Sequence, residues 1–175
     1  MIKTNRLVLR KATIKDADQI ELLASDYDVA KTTLTIPHPY PSGSAIDFIN
    51  SMLDGEKEGK IIIYTIVERC SNVLIGLINL TLSSAHQRGE LGYWIGKPYW
   101  GKGYGTEATK AMIDYGFAQL HLNKIFAQAF ANNPGSWRIM EKVGMTYEGT
   151  LKQHFFRFGE FIDVVNYGLL REDVR

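Results

Sequence analysis

Between Glu90 and Lys110 the chain reads ELGYWIGKPYWGKGYGTEATK, and no other stretch constrains the fold as much. It opens on a short apolar run, Leu91 to Ile95, and turns at Gly96-Lys97-Pro98. It then sets Gly101, Gly103 and Gly105 at alternate positions and enters a helical pattern at Thr106. Alternate glycines let a backbone adopt positive φ and come close to a ligand. The first turn of a helix leaves N–H groups unpaired, and the macrodipole adds about half a positive charge there. A strand, a Gly-rich turn and a helix start in that order make a place for a phosphate or pyrophosphate.

Spacing decides which phosphate loop this is. The Walker A pattern needs G-x-x-x-x-G-K followed by Ser or Thr. Gly96 to Lys102 meets the first part, but residue 103 is Gly, so the hydroxyl that holds Mg²⁺ is missing, and Pro98, Tyr99 and Trp100 are bulky for a phosphate wrap. The dinucleotide pattern G-x-G-x-x-G would put its third glycine at position 106, which is Thr, and no parallel βαβ repeat surrounds it. What remains resembles the pyrophosphate loop of the GNAT superfamily of acyl-CoA N-acyltransferases, Q/R-x-x-G-x-G/A. Trp100 stands at the Gln/Arg position, and Gly103 and Gly105 are the two small residues. Read as WGKGYGTEA, the loop is most similar to the RimJ/RimL branch, the ribosomal-protein N-terminal acetyltransferases and their relatives. Taken alone, the loop also reads as a plain Gly-rich surface turn.

A chain of 175 residues suits one domain, residues 1–175, and is long enough to bury a real core. Its net charge of +1 argues against a nucleic-acid partner, which calls for a basic stripe. One cysteine, Cys70, excludes a disulfide framework and a Cys-rich metal site. The N-terminus is too polar for a signal peptide, and no apolar run is long enough for a membrane, so a cytoplasmic enzyme is expected.

Alternation at Leu7 and Leu9 predicts a strand over about 5–11. Thr13 and Asp16 have capping-box spacing ahead of a helix whose apolar face is Ala17, Ile20, Leu23 and Ala24. Pro37, Pro39 and Pro41 stiffen TTLTIPHPYPSGS, residues 32–44, and block helix and sheet. That segment reads either as a linker or as a wall of a substrate site bearing His38 and Tyr40. Ser44 and Asp47 repeat the capping spacing before a helix carrying Ile46, Ile49, Met52 and Leu53. Strands are expected at 61–67, 73–82 and 88–95, then a helix from Tyr104 to about Leu120 with Ala108, Ala111, Met112 and Tyr115 on one face. A strand follows at 124–130. Asn133 as N-cap, Pro134 at the first position and Gly144 past the end mark a short helix. The remainder reads as a long hairpin turning at Gly159.

The string Asn133, Ser136, Met140, Glu141, Lys142, Gly144, Met145 is similar to the GNAT pattern N-x-x-A/S-x-x-x-Y-E-K-x-G-F, with Met140 at the Tyr position. The resemblance covers nearly the whole chain. It implies an α+β (α/β) fold with one mixed, mostly antiparallel seven-stranded sheet, helices on both faces and strands 4 and 5 splayed apart. It also implies acetyl-CoA as donor, no metal, and a primary amine acceptor, the protein being a monomer or homodimer. By resemblance, amides near Trp94, Ile95 and Gly96 hold the pantetheine arm, and amides of Lys102, Gly103, Tyr104, Gly105 and Thr106 take the pyrophosphate, with Asn133 and Ser136 beside them. Ser136 is the candidate proton donor to the leaving thiolate. Glu90, sharing a strand face with Gly92 and Trp94, is the candidate base, or else a solvated strand-end carboxylate. His38 and His154 are alternative bases, or else surface residues, and Glu107 suits the helix dipole. The acceptor expected from the residues is an amine of low pKa, an N-terminal α-amine before a lysine, with small-molecule amines or a CoA-binding module as the other readings.

Overall fold

The computed structural model describes residues 1–174. One eight-stranded sheet runs β1 (Ile2–Lys3), β2 (Leu7–Arg10), β3 (Ile61–Glu68), β4 (Leu74–Ser83), β5 (Arg88–Ile95), β6 (Lys124–Phe130), β8 (Glu160–Leu170), β7 (Thr146–Arg157). Every neighbouring pair is antiparallel except β5 and β6. The strand count exceeds the expected seven by β1. Its two residues pair Ile2 with Leu9 and Lys3 with Val8, an edge that exists through pairing and leaves little mark in the sequence. Among the described residues no helix is long and apolar enough to cross a membrane.

Helices α1 (Ala17–Ala24) and α3 (Ser44–Lys57) pack on one face, where Ile20, Leu23 and Ile49 meet Val67, Leu74 and Leu77. Helices α4 (Tyr104–Ala118) and α5 (Pro134–Lys142) pack on the other, where Met112, Ile113, Phe117 and Met140 meet Ile66, Ile78, Leu80 and Ile125. A one-turn helix, α2 (Tyr27–Ala30), begins the segment between α1 and α3. In α1 the expected face is the buried one. In α3 it is rotated: Ala45 is fully buried, whereas Ile46 is 42% exposed, because the small side chain permits the closer approach. Ser44 does not cap that helix. Gly43 does so with φ +80°, and the Ser44 hydroxyl donates to the Pro41 carbonyl at 2.7 Å. Thr13 and Asp16 behave as expected: the Asp16 carboxylate accepts from the Thr13 amide at 2.8 Å, and also holds the Arg10 guanidinium at 2.7 and 2.9 Å.

The feature that positions the site is the parting of β5 from β6. They pair only from Arg88↔Lys124 to Leu91↔Ala127. Beyond Leu91, β5 stays with β4 up to Ile95, while β6 continues with β8 up to Phe130. A wedge opens in the middle of the sheet.

Candidate active site

Hydrogen-bond parity shows which backbone groups face the wedge. The Asn123 amide bonds the Gln87 carbonyl at 2.6 Å, so odd-numbered residues of β5 point their peptide groups toward β6. The Gly96 amide bonds the Ile75 carbonyl at 2.8 Å, so even-numbered ones point toward β4. The open groups are therefore those of Tyr93 and Ile95. Of the three residues expected to offer amides here, Ile95 does so. Trp94 and Gly96 are turned into the β4 ladder, a distinction that strand periodicity alone does not make. The Ile95 carbonyl is already engaged by the Trp100 indole at 2.6 Å, which draws the following turn against the strand end.

That turn leads into α4. Gly101 has φ +73° and Gly103 +79°, a region in which L side chains are strained. Among the described residues no acceptor meets the amides from Gly101 to Thr106; the first amide of the turn to be satisfied is Glu107, which donates to the Gly103 carbonyl at 3.1 Å. Six amides without protein partners at a helix start form a candidate anion cradle. Lys102 and Gly103 are exposed beside it, Thr106 is half-buried, and Tyr104 and Gly105 are buried. Gly105 has a packing role as well: a Cβ there would sit 2.7 Å from Ile139 Cδ1 on α5.

The cradle is braced from the N-terminal edge. Glu107 accepts from the Thr4 hydroxyl at 2.6 Å, the Arg6 amide at 2.8 Å and the Arg6 guanidinium at 2.7 Å, while Arg6 also donates to the Lys102 carbonyl at 2.8 Å. Burial pushes the Glu107 carboxyl up, but the Thr4 and Arg6 hydrogen bonds outweigh it and hold the group below the usual range. A depressed carboxylate contributes stability fully above its unfolded value, about 4.3, and loses it as pH falls through the lower folded value. Glu107→Gln is expected to lower Tm at pH 7 by about 2–4 °C, the effect of roughly 1 kcal/mol. Thermal scans at pH 7 and pH 3 check this, and the gap to wild type should close at the lower pH.

On the α5 side, Asn133 holds the N-cap position through its backbone, the Ser136 amide donating to its carbonyl at 3.1 Å; its side chain makes no cap bond and lines the cleft. The Ser136 hydroxyl donates to the Tyr93 hydroxyl at 3.1 Å, which donates back to the Ser136 carbonyl at 2.9 Å. Burial raises the Tyr93 pKa well above its ordinary value, and the Ser136 hydrogen bond recovers part of the shift, so the phenol stays protonated at neutral pH. Sequence reasoning passed over Tyr93. The signal was alternation: in ELGYWI the tyrosine falls on the face opposite Glu90. Met140 is buried in the core and presents nothing to the cleft.

On the opposite face, Glu90 is half-buried between Thr81 and Phe126, one residue before the wedge opens. It faces a cleft of about 1440 Å³ that runs through the wedge from one side of the sheet to the other. Residues 32–37 and Tyr40 line that cleft, so the proline-rich segment is a wall. Arg157, from the β7–β8 hairpin, clasps this wall by donating to the Thr33 carbonyl at 3.1 Å and to that of Ile36. His38 is not brought in: exposed, it stacks on Tyr27 with ring centroids 5.0 Å apart. His154 is likewise exposed on the hairpin.

An open strand edge leading to a helix start with unpaired amides can take an extended ligand that ends in an anionic group. A family model described as an acetyltransferase (GNAT) domain matches residues 6–146. The uncharacterized N-acetyltransferase p20 of Bacillus licheniformis is 33% identical over 171 residues, covering 97% of this chain and 96% of that protein. The spermidine N(1)-acetyltransferase of Escherichia coli (strain K12) is 33% identical over 100 residues, 57% of this chain and 54% of the other. The structure of RimL, the ribosomal L7/L12 α-N-protein acetyltransferase in complex with coenzyme A, shares the fold at TM-score 0.89 and 16% identity, covering 97% of each chain. The chain belongs to the GNAT acetyltransferase family and is an acetyl-CoA-dependent N-acetyltransferase.

Proposed function

We propose that the protein acetylates a primary amine and that the acceptor is the α-amine of a peptide or protein N-terminus. One observation carries the choice: among the described residues Glu90 is the single carboxylate that lines the cleft, whose lining also includes the neutral or apolar Asn79, Gln128, Phe48, Met52 and Phe130. A polyamine brings several ammonium groups into a half-buried cleft, and each unpaired charge there is costly.

The roles follow from aminolysis of a thioester. Glu90 takes a proton from the amine on its side of the sheet. The amides of Tyr93 and Ile95 face the wedge, where they hold the donor arm and polarise the acyl oxygen. The amides from Gly101 to Thr106 bind the pyrophosphate, with Asn133 alongside. Ser136 turns its hydroxyl from Tyr93 to the leaving thiolate, gives it the proton and recovers one from water. An α-amine with pKa about 7.8 costs roughly 1 kcal/mol to deprotonate at pH 7, against roughly 4–5 kcal/mol for a lysine near 10.4. With one carboxylate available, the cheaper proton is the favoured one.

The test is a panel of acceptors assayed for CoA release: a short peptide with a free N-terminus, its N-blocked lysine-containing twin, spermidine and an aminoglycoside. The free N-terminus is expected to lead. Preference for the blocked lysine peptide overturns the α-amine, and preference for spermidine or the aminoglycoside moves the acceptor to small molecules.

A further inference from the structure

Two carboxamides flank Glu90 on the acceptor face, and the steps above give them no task. Asn79 of β4 lies opposite Gly92, two residues beyond Glu90. Gln128 of β6 lies two residues beyond Phe126, the partner of Glu90. Strand alternation puts all three side chains on one face, and all three line the cleft. Each carboxamide is the lone polar side chain of a stretch otherwise apolar, LIGLINL and IFAQAF, where a buried strand favours Val, Ile and Leu. Gly92 makes the arrangement possible, because a Cβ there would lie 2.8 Å from Asn79 Oδ1. Gln128 is held in place by its Nε2 donating to Asn166 Oδ1 at 2.8 Å. Among the described residues no donor reaches Asn79 Oδ1 or Gln128 Oε1, and Asn79 Nδ2 has only a long contact to Thr81 Oγ1 at 3.4 Å. Asn79 Oδ1 lies over Gly92, and Gln128 stands across the wedge on β6; both side chains are half-buried, and each carbonyl oxygen is free to accept from a ligand.

We infer that Asn79 and Gln128 read the first peptide N–H of the acceptor, which lies extended over Gly92 with its amine at Glu90. The inference rests on the acceptor being a peptide amine, as proposed above. The spacing suits it. In an amino acid the carbonyl carbon lies about 2.5 Å from the amine nitrogen, so the first peptide group of an extended chain falls within the roughly 6.6 Å between Glu90 and Gly92. A neutral N–H matches neutral carboxamide oxygens. An ammonium at the same place would sit half-buried with no second carboxylate.

The experiment compares a short peptide bearing a free N-terminus with a twin in which an ester replaces the first peptide bond, removing that N–H. Both are assayed by kcat/KM on wild type, Asn79→Ala, Gln128→Leu and the double variant, with acetyl-CoA affinity measured in parallel. Wild type is expected to prefer the amide about tenfold, and the double variant to prefer it by less than about twofold. The amide-to-ester ratio cancels any general loss of activity, and Gln128→Leu, close in volume, carries the test if Asn79→Ala misfolds. A wild type indifferent to the ester, or a preference that survives in the variants, overturns this reading while leaving the peptide acceptor standing. A wild type that acetylates spermidine and no peptide removes the proposed acceptor and this inference with it.

Discussion

Glu90→Gln is expected to lower kcat by about 10²-fold or more while acetyl-CoA affinity changes little. The carboxylate sits at the last fully paired part of β5, one residue before the wedge, and lines the half of the cleft in which the acceptor is proposed to lie. Glutamine keeps the shape and the hydrogen-bonding reach but cannot take a proton. Because the lost group acts on the amine, raising pH should restore part of the rate as the fraction of neutral amine grows. Steady-state kinetics from pH 6 to 9 with saturating acetyl-CoA reads both effects. Wild-type turnover across that range would return Glu90 to a solvated strand carboxylate.

Gly103→Val is expected to weaken CoA binding by about 10²-fold or more with the fold intact. At φ +79° a β-branched residue is strained, and relief of that strain rotates the amides that follow. Each hydrogen bond to a charged group contributes about 1.5–3 kcal/mol, so losing two suffices. The added Cβ would meet nothing closer than Arg6 Nη2 at 3.4 Å, a surface side chain able to move. Calorimetric titration with CoA, with Tm as the control, is the measurement, and unchanged affinity removes the phosphate role from the loop. Gly105→Val is a poorer probe, because its side chain would collide with Ile139 between α4 and α5.

Elements with strong local signals were legible in the sequence. The bounds 88–95 and 124–130 coincide with β5 and β6, and the short helix begins at Pro134 and is followed by Gly144 at φ +91°, as its punctuation implied. What was not legible depends on partners far along the chain. The strand β1 forms only against β2. Burial of Ala45 in place of Ile46 reflects the closeness of α3 to the sheet. In the site, the glycine turn ahead of α4 was readable because φ and spacing are local properties. The direction of each β5 amide was not, since it depends on which ladder, β4 or β6, claims it. His38 was misplaced for a related reason: composition marks residues 32–44 as rigid, but only the clasp from Arg157 and the stack on Tyr27 decide which side chains of that segment turn inward. Asn79 and Gln128 did carry a signal, a single amide in each of two apolar strands.

The parity of β5 separates three tasks by direction in space. Peptide groups lie in the plane of the sheet, even-numbered side chains rise from one face and odd-numbered ones from the other. On the roles proposed above, a change at an even-numbered position acts on the acceptor side and one at position 93 on the thiolate side, while the in-plane contacts of the donor stay as they are. Inserting or deleting one residue between Gly89 and Ile95 does the opposite: it turns every side chain over at once and exchanges the two faces. Such a strand thus accepts a changed side chain, outside Gly89, Glu90 and Gly92, more readily than a changed length.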